Sequence, residues 1–306
     1  MRLDEFEPSR NVRDQGSGGG GIGFGGGGGG LGGVLFSLLP MLLGRRLGCG
    51  TLLIIAVAGF FLMNSGILSL GGGDVSAPAG QRSGGGDVAC DTADEMFACR
   101  TLTSTEQVWG QIFSQGGQRY PAPTLHFYSQ SGQSGCGAAQ SAMGPFYCPA
   151  DQGIYLDTDF FRELSQRFGA AGDAAQAYVI AHEVGHHIQT VTGRAAQVRQ
   201  AQARAGQAEG NQLQVRMELE ADCYAGVCAR LARTPSGQPV LEPGDMEEAM
   251  RAAHAIGDDT LMRQAGQAPV ESMFTHGTSE QRQRWLARGL EGGDWRQCDT
   301  FGTQRV

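Results

Sequence analysis

The chain has 306 residues, a formal net charge of −8 at pH 7 and no lysine. The acidic balance argues against a nucleic-acid-binding protein, and a chain without lysine cannot use a Schiff-base or Ser-Lys mechanism. The sequence also lacks the Gly-x-Ser-x-Gly turn that is typical of α/β hydrolases with a serine nucleophile.

Glycine is concentrated in two tracts in the first third of the chain. The chain contains 50 glycines, and most of the excess lies within residues 16–33 and 71–86. Tracts with so few side chains to pack stay flexible. We therefore expect residues 1–48 to be a disordered cytoplasmic segment with a short apolar stretch, and residues 71–87 to be a flexible linker.

An uncharged apolar stretch between these tracts predicts one transmembrane helix over residues 49–70, because it is long enough to cross a hydrocarbon core of about 30 Å. Arg45 and Arg46 precede this stretch and Asp74 follows it. The positive-inside rule then predicts a single-pass protein with a cytoplasmic N-terminus and an extracytoplasmic domain, in the cell envelope or periplasm. Residues 31–43 are too short to span and suit the membrane interface; if they crossed as a hairpin with the longer stretch, the topology would invert.

The rest of the chain, residues 88–306, has the size of one domain. Apolar periodicity and capping residues predict an α+β fold that is mostly helical with a small sheet. The expected strands lie near residues 124–128 and 153–156. The expected helices are residues 104–114, 158–168 and 173–191, then a long helix ending near residue 232 and two shorter C-terminal helices.

Cysteine usage agrees with an extracytoplasmic domain. The chain has eight cysteines, and all but Cys49 lie in the segment that we place outside the membrane. An oxidising compartment permits disulfides, and the natural local pairs are Cys90 with Cys99 and Cys136 with Cys148.

The remaining cysteines leave several possibilities open. Cys223 and Cys228 are five residues apart on a predicted helix, which separates their side chains by about 140°, so they should not bond each other easily. One of them could pair with Cys298, or both could be core thiols. A zinc site built from cysteines has no support, because the sequence contains no Cys-x-x-Cys pair.

The most informative segment is His182-Glu183-Val184-Gly185-His186. Two histidines four residues apart lie about 40° from each other around an α-helix, so both imidazoles leave the same face and can bind one Zn²⁺ ion. Glu183 lies beside the first histidine, where it can take a proton from a water on the metal. The motif therefore predicts two zinc ligands, His182 and His186, and a catalytic base, Glu183, in the arrangement found in zincins.

Catalytic zinc normally has three protein ligands and one open position, so a third ligand is expected elsewhere. Downstream, Glu218 and Asp222 lie four residues apart on one face of a second predicted helix. We assign Glu218 as the third ligand and Asp222 as the hydrogen-bond partner that fixes the tautomer of a ligating histidine. Glu220 points away from that face and is expected to be solvated. The alternative is that Glu218 and Asp222 are ordinary surface acids of an amphipathic helix.

A fourth histidine is a candidate for the chemistry. His276 comes just before Thr278-Ser279-Glu280-Gln281, which predicts a capping box at the start of a helix and places His276 on a loop. A loop histidine held by a capped helix could donate a hydrogen bond to the oxyanion of a tetrahedral intermediate. The alternative is a histidine with local hydrogen bonds only.

Three blocks, residues 182–189, 218–223 and 274–279, together resemble the bacterial family of putative neutral zinc metallopeptidases. The resemblance covers nearly the whole chain, including the N-terminal apolar stretch. It implies a membrane-anchored, gluzincin-like enzyme, whose third ligand is the first glutamate of a Glu-x-x-Ala-Asp helix. The metzincin pattern is excluded, because it needs glycine and histidine where this chain has Gln189 and Thr192.

In zincins a small sheet lies against the metal helix, and its edge strand can pair with an extended peptide. Residues 153–156 are our candidate for that edge, which makes Ile154 and Tyr155 candidate substrate-binding residues. The alternative is a strand that is paired on both sides.

These features together predict a membrane-anchored metallopeptidase with Zn²⁺ as its cofactor and a peptide or protein as its substrate. Glu183 would deprotonate the attacking water and pass the proton to the leaving amine. The same chemistry could hydrolyse another amide, such as cell-wall peptide. The main alternative is a membrane-tethered, zinc-containing binding protein without peptidase activity, which a fourth protein ligand on the metal would favour.

Overall fold

The computed structural model of the chain describes residues 1–17 and 89–306. Its strands form one six-stranded mixed sheet in the order β4-β3-β2-β6-β5, and β1 also pairs with β2. Strand β2 runs parallel to both β1 and β6, whereas β5 runs antiparallel to β6. The strands are β1 (Val12–Ser17), β2 (Thr124–Ser129), β3 (Ser131–Ser134), β4 (Gly137–Gln140), β5 (Phe146–Cys148) and β6 (Gly153–Leu156).

Eight α-helices are present in the described part of the chain. The metal-motif helix α3 and the long helix α5 lie at the centre, and α1, α6 and α8 pack around them. The helices are α1 (Ala93–Gln115), α2 (Asp159–Gln166), α3 (Asp173–Val191), α4 (Arg194–Gln202), α5 (Gln207–Leu231), α6 (Asp245–Ala255), α7 (Asp258–Gln264) and α8 (Ser279–Gly292).

Glycines let the central helices approach one another closely. A Cβ atom added to Gly185 on α3 would lie 2.9 Å from the Cα atom of Ala221 on α5. Likewise, a Cβ atom on Gly226 of α5 would collide with the carbonyl oxygen of Leu286 on α8, and Gly289 faces α5 in the same way. Because two helix backbones can meet this closely only without side chains between them, these glycines bring the polar residues of the three helices within hydrogen-bond distance.

The N-terminal residues belong to the folded domain. Leu3 and Phe6 are buried in the main hydrophobic core, and β1 pairs with β2 from Val12, which lies opposite Leu125. The prediction that all of residues 1–48 are disordered is therefore wrong for residues 1–17. The sequence signal was weak because β1 is short and polar, and its partner strand lies more than a hundred residues away in the chain.

The predicted fold class, a mostly helical α+β domain preceded by one transmembrane helix, also needs correction. The described residues form a mixed α/β fold in which five strands within residues 124–156 share one sheet with the N-terminal strand β1. No helix in this described part is long and apolar enough to cross a membrane, so the transmembrane helix is not supported. The residues on which it was predicted, 49–70, lie outside the described residues, as do 18–48 and 71–88.

Within residues 1–17 and 89–306, three disulfides tie neighbouring segments to the core. Cys90 is bonded to Cys99 and Cys136 to Cys148, which are the two local pairs suggested by the sequence. A third disulfide, Cys223–Cys298, joins α5 to the C-terminal segment. Cys228 is a buried free thiol. Of the alternatives left open by the sequence, the structure therefore selects the pairing of one α5 cysteine with the C-terminal one.

Candidate metal centre

Helices α3 and α5 bring three side chains with metal-binding atoms to one point. The Nε2 atom of His182 lies 3.1 Å from the Nε2 atom of His186 and 3.1 Å from the Oε2 atom of Glu218. The His186 Nε2 atom lies 3.5 Å from the same carboxylate oxygen. These residues are the two histidines and the glutamate assigned as ligands from the sequence, and within the described residues this group contains no fourth donor side chain.

The other nitrogen of each imidazole already has a hydrogen-bond acceptor. The Nδ1 atom of His182 lies 2.8 Å from an oxygen of Asp222, and the Nδ1 atom of His186 lies 2.9 Å from the side-chain oxygen of Gln189. A neutral imidazole carries one proton, so both protons belong on Nδ1. Both Nε2 lone pairs then point toward the shared point beside the Glu218 carboxylate.

This donor set fits a zinc ion. Donor atoms arranged tetrahedrally at about 2.0–2.1 Å from Zn²⁺ are roughly 3.3 Å apart, which matches the separations of the three atoms here. Two imidazole lone pairs and a carboxylate oxygen repel one another at these distances unless a cation lies between them. Three protein donors leave the fourth corner of a tetrahedron free.

The charges around the site also favour a cation. Burial lowers the pKa of His182, but the Asp222 and Glu218 carboxylates outweigh it and raise that pKa to about 9. Burial would raise the pKa of Glu218, yet the neighbouring His186 and His182 hold it well below its usual range. Positive charge is therefore stabilised at the point between these side chains, whether a proton or a metal ion carries it.

The second oxygen of Glu218 has its own partner. The side-chain amide of Gln214, one turn earlier on α5, donates a hydrogen bond of 2.8 Å to the Oε1 atom of Glu218. Only the Oε2 atom then faces the two histidines. The surface-acid alternative for this helix is excluded, because Glu218 and Asp222 are both buried.

Glu183 is buried beside the same group of side chains. Its side chain is 7% exposed, and none of the side-chain hydrogen bonds within residues 1–17 and 89–306 involves its carboxylate. Burial raises the pKa of Glu183, and the nearby histidines oppose that change. A carboxylate with free oxygens and a raised pKa is suited to accept a proton from a water molecule.

Asp222 is held by two residues that the sequence analysis did not find. Its carboxylate accepts two hydrogen bonds of 2.9 Å from the Arg282 guanidinium of α8 and one of 2.6 Å from the Tyr178 hydroxyl of α3. Arginine and aspartate are both at least 97% buried. Tyr178 lies one turn before His182, so helix spacing could have predicted that it lies near this histidine. Arg282 comes from a distant helix, and no local sequence pattern predicts its contact with Asp222.

His276 lies on the loop before α8, as predicted, and Thr278 forms the capping box with Gln281. Its Nδ1 atom lies 3.2 Å from the Oδ1 atom of Asp258, at the start of α7. The other oxygen of Asp258 accepts hydrogen bonds from the backbone N–H groups of residues 275–277. The sequence analysis missed Asp258, whose carboxylate therefore fixes both the loop and the imidazole that it carries.

The expected substrate-binding residues Ile154 and Tyr155 do not lie on a free edge. Their strand, β6, is paired with β2 on one side and with β5 on the other, and both side chains are buried. The alternative of a strand paired on both sides is therefore correct. Among the described strands, β5 forms the edge of the sheet at this end.

Glu220 also differs from its prediction. Its side chain is completely buried on the back of the metal centre, with Gln189 and Arg194 as its polar neighbours. A helix position that points away from one partner helix can still be covered by other elements, and here α4 and the C-terminal segment provide that cover.

The three donor side chains form a candidate metal site, and comparison with known sequences gives the family. The profile of the family described as "Putative neutral zinc metallopeptidase" matches residues 1–301, so the chain belongs to this family. The match includes the N-terminal strand as well as all three ligand residues.

Two curated relatives are similar over most of their length. The chain is 47% identical over 254 residues to "Uncharacterized protein YpfJ" of Escherichia coli strain K12, covering 82% of this chain and 85% of the relative. It is 41% identical over 223 residues to "Uncharacterized protein Mb2605" of Mycobacterium bovis, covering 68% and 72%. No solved structure matches the chain.

Proposed function

We propose that this protein is a zinc-dependent peptidase in which His182, His186 and Glu218 hold the metal. The observation that carries the proposal is the convergence of two imidazole Nε2 lone pairs and one carboxylate oxygen, 3.1–3.5 Å apart, with both Nδ1 atoms already bonded to acceptors. A structural zinc site normally has four protein ligands, whereas this group has three in the described part of the chain. A free position for substrate favours catalysis over a purely structural role.

When bound, a zinc ion would polarise the scissile carbonyl and lower the pKa of a water molecule to about 7. Glu183 accepts the proton of the attacking water, because its carboxylate makes no side-chain hydrogen bond with the part of the chain that the structure describes, and then delivers that proton to the leaving amine. Asp222 keeps the proton of His182 on Nδ1, so that the Nε2 lone pair stays directed at the metal.

We assign substrate binding to β5 instead of β6. The Tyr147 hydroxyl of β5 donates to the Nδ1 atom of His187, next to the second metal ligand, and the Nε2–H of His187 donates to the Pro121 carbonyl. These bonds hold the edge strand against the metal helix. An extended peptide can add to such an edge by main-chain hydrogen bonds, which places its backbone beside the metal centre.

The test uses the full-length chain, since a fragment that begins near residue 88 would lack β1. Metal analysis should find one zinc per chain, and a peptide-library digest should show cleavage that a zinc chelator stops and added zinc restores. A protein that contains zinc but cleaves no peptide would support the alternative of a binding protein. A protein that binds no zinc would contradict both.

His276 should contribute to turnover without holding the metal. We expect His276→Ala to lower kcat on the order of 10²–10³-fold, the usual cost of losing one oxyanion donor, with the zinc content unchanged. Because Nδ1 faces the Asp258 carboxylate, a neutral His276 carries its proton there, and only the imidazolium can donate from Nε2. Steady-state kinetics and metal analysis check this, and an unchanged kcat would remove His276 from the mechanism.

The pH profile provides the control. Partial loss of hydration lowers the pKa of the half-exposed His276 imidazole and Arg282 adds to that effect, but Asp258 and Glu218 raise the pKa above its ordinary value overall. Activity that needs the imidazolium is lost as the pH rises through this raised pKa. Asp258→Asn should therefore lower the pH at which kcat/KM falls on the alkaline side of its pH profile. The same alkaline profile in the variant and the wild type would contradict the role of the imidazolium.

We also propose that the peptidase domain is extracytoplasmic, in the cell envelope or periplasm, and that residues 1–17 lie on the same side. Three disulfides support an oxidising compartment. Strand β1 and the core residues Leu3 and Phe6 are part of the same folded unit as residues 89–306. Because the N-terminal residues and residues 89–306 belong to one folded unit, we place both on the same side of any membrane, whereas the sequence analysis expected the N-terminus in the cytoplasm.

Epitope tags at the two ends should therefore give the same result in a protease-accessibility assay. In intact spheroplasts we expect both the N-terminal and the C-terminal tag of the full-length protein to be digested. A cytoplasmic marker protein that resists digestion serves as the control. Tags on opposite sides of the membrane would overturn the shared location.

A further inference from the structure

Gln189 lies three residues after the second metal ligand and is completely buried between α3 and α5. Its side-chain oxygen lies 2.9 Å from the Nδ1 atom of His186. Its side-chain nitrogen donates two hydrogen bonds, one of 2.7 Å to the Met217 carbonyl oxygen and one of 3.0 Å to the Oε2 atom of Glu220. Both hydrogen bonds that the Gln189 amide donates to α5 therefore go to residues on either side of Glu218.

The two acceptors on α5 determine which way the Gln189 amide faces. The Met217 carbonyl oxygen can only accept a hydrogen bond, so the group beside it must be the NH₂ of the amide. The flipped amide would place its oxygen against both acceptors and its NH₂ against His186, which leaves buried polar groups unpaired. The amide oxygen must therefore face His186 and accept from its Nδ1–H.

Glu220 has a cation on its other side. Its Oε1 atom lies 3.3 Å from the Nε atom of Arg194, whose guanidinium also donates to Asp299 at 2.9 Å. A completely buried carboxylate beside an arginine has a charge partner and a fixed position. Glu220 is therefore an ordered acceptor for the Gln189 amide.

The two metal-binding histidines are thus oriented by different groups. His182 bonds directly to the Asp222 carboxylate, which Arg282 holds. His186 is connected to the Glu220 carboxylate only through the neutral amide of Gln189. Both carboxylates come from α5, the helix that also supplies the third ligand, so the same helix sets all three donor atoms.

We propose that Gln189 is a positioning residue of the metal centre: it keeps the proton of His186 on Nδ1 and the Nε2 lone pair directed at the metal, and Glu220 fixes the orientation of its amide. This inference rests on the proposed zinc site. Outer partners of metal-binding histidines commonly change metal affinity when they are removed, although they never touch the ion.

The experiment measures zinc affinity of the full-length protein by competition with a chromophoric chelator. Gln189→Met removes the amide but keeps the size of the side chain, and we expect zinc to bind about 10- to 100-fold more weakly. Gln176→Met, on the same helix and without a side-chain hydrogen bond within the described residues, is the matched control and should bind zinc like the wild type.

A second pair of variants tests the relay through Glu220. Glu220→Gln keeps an oxygen that can accept a hydrogen bond from Gln189, so this variant should retain most of the zinc affinity of the wild type. Glu220→Leu has no such acceptor and should bind zinc as weakly as Gln189→Met. The thermal stability of each metal-free protein is measured in parallel. A purely structural role would lower that stability in Gln189→Met and leave the zinc affinity unchanged, which would overturn the inference.

A spectroscopic measurement on the wild-type protein needs no variant to fold. The ¹⁵N chemical shifts of His186 in the zinc-loaded protein should show the proton on Nδ1, and a proton on Nε2 would overturn the inference. A wild-type protein that binds no zinc refutes the proposed function itself. Wild-type binding with an unchanged Gln189→Met variant refutes only the role of Gln189.

Discussion

Glu183→Gln should leave zinc bound and lower kcat/KM by about 10²–10⁴-fold, the range that a positioned general base contributes. The substituted amide has the same shape as the carboxylate but cannot accept a proton from water. The zinc content should not change, because the three donor atoms come from His182, His186 and Glu218. Single-turnover cleavage of a peptide found in the library digest, together with metal analysis, checks both parts.

The matched control for this variant is Glu209→Gln, an exposed acid on α5 that is remote from the motif in sequence and in no side-chain hydrogen bond of the described residues. Its activity should equal that of the wild type. If Glu183→Gln cleaved peptides at the wild-type rate, Glu183 could not be the base, even with zinc still required. If it lost zinc as well as activity, its role would be in metal binding.

Arg282→Leu should destabilise the metal-free protein by about 3–5 kcal/mol, the usual cost of leaving one charge of a buried ion pair without its partner. The guanidinium makes two hydrogen bonds to Asp222 and one of 3.1 Å to the Tyr178 oxygen, all in the interior. Burial would raise the pKa of Asp222, but Arg282 and His182 lower it to about 2. Without the arginine, the aspartate must either stay charged in the core or take up a proton.

Urea unfolding of the full-length protein measures this loss. Arg284→Leu is the control: Arg284 lies two residues further along α8 and forms an exposed i,i+4 pair with Glu280 at 3.0 Å, which is worth about 0.5 kcal/mol or less. Equal stabilities for the two variants would contradict the account of the buried pair. Since Asp222 orients His182, Arg282→Leu should also weaken zinc binding.

The features of the candidate site that the sequence and the structure have in common depend on local helix geometry. Residues four apart on an α-helix share a face in any fold, so the convergence of His182 with His186, and the common face of Glu218 and Asp222, follow from spacing alone. Gln189 lies three residues after His186 and could have been found by the same reasoning. Asp258 and Arg282 could not, because they belong to other helices, from which Asp258 bonds the His276 loop and Arg282 bonds Asp222.

The two expected strands near residues 124–128 and 153–156 are present as β2 and β6, but the prediction of how the strands pair failed for the corresponding reason. Strand pairing joins residues at any separation, and a short, mostly polar strand such as β1 carries no signal that identifies its partner. The same limit explains the misplaced edge strand, since the sequence of β6 does not show that β5 covers it. The burial of Glu220 depends on elements that pack over α5 from both later and earlier parts of the chain.

The amino-acid sequence by itself determined the helical motif, its two histidines on one face, the adjacent glutamate and the acidic face of the partner helix, because these features need only the periodicity of a single helix. Only the tertiary structure decided that the carboxylate of Glu218 meets the two histidines and that N-terminal residues complete the sheet. It also decided which buried groups hold each imidazole. Those outcomes depend on helix crossings at Gly185 and Gly226 and on long-range strand pairing, where the burial of apolar surface and the satisfaction of buried polar groups select one arrangement.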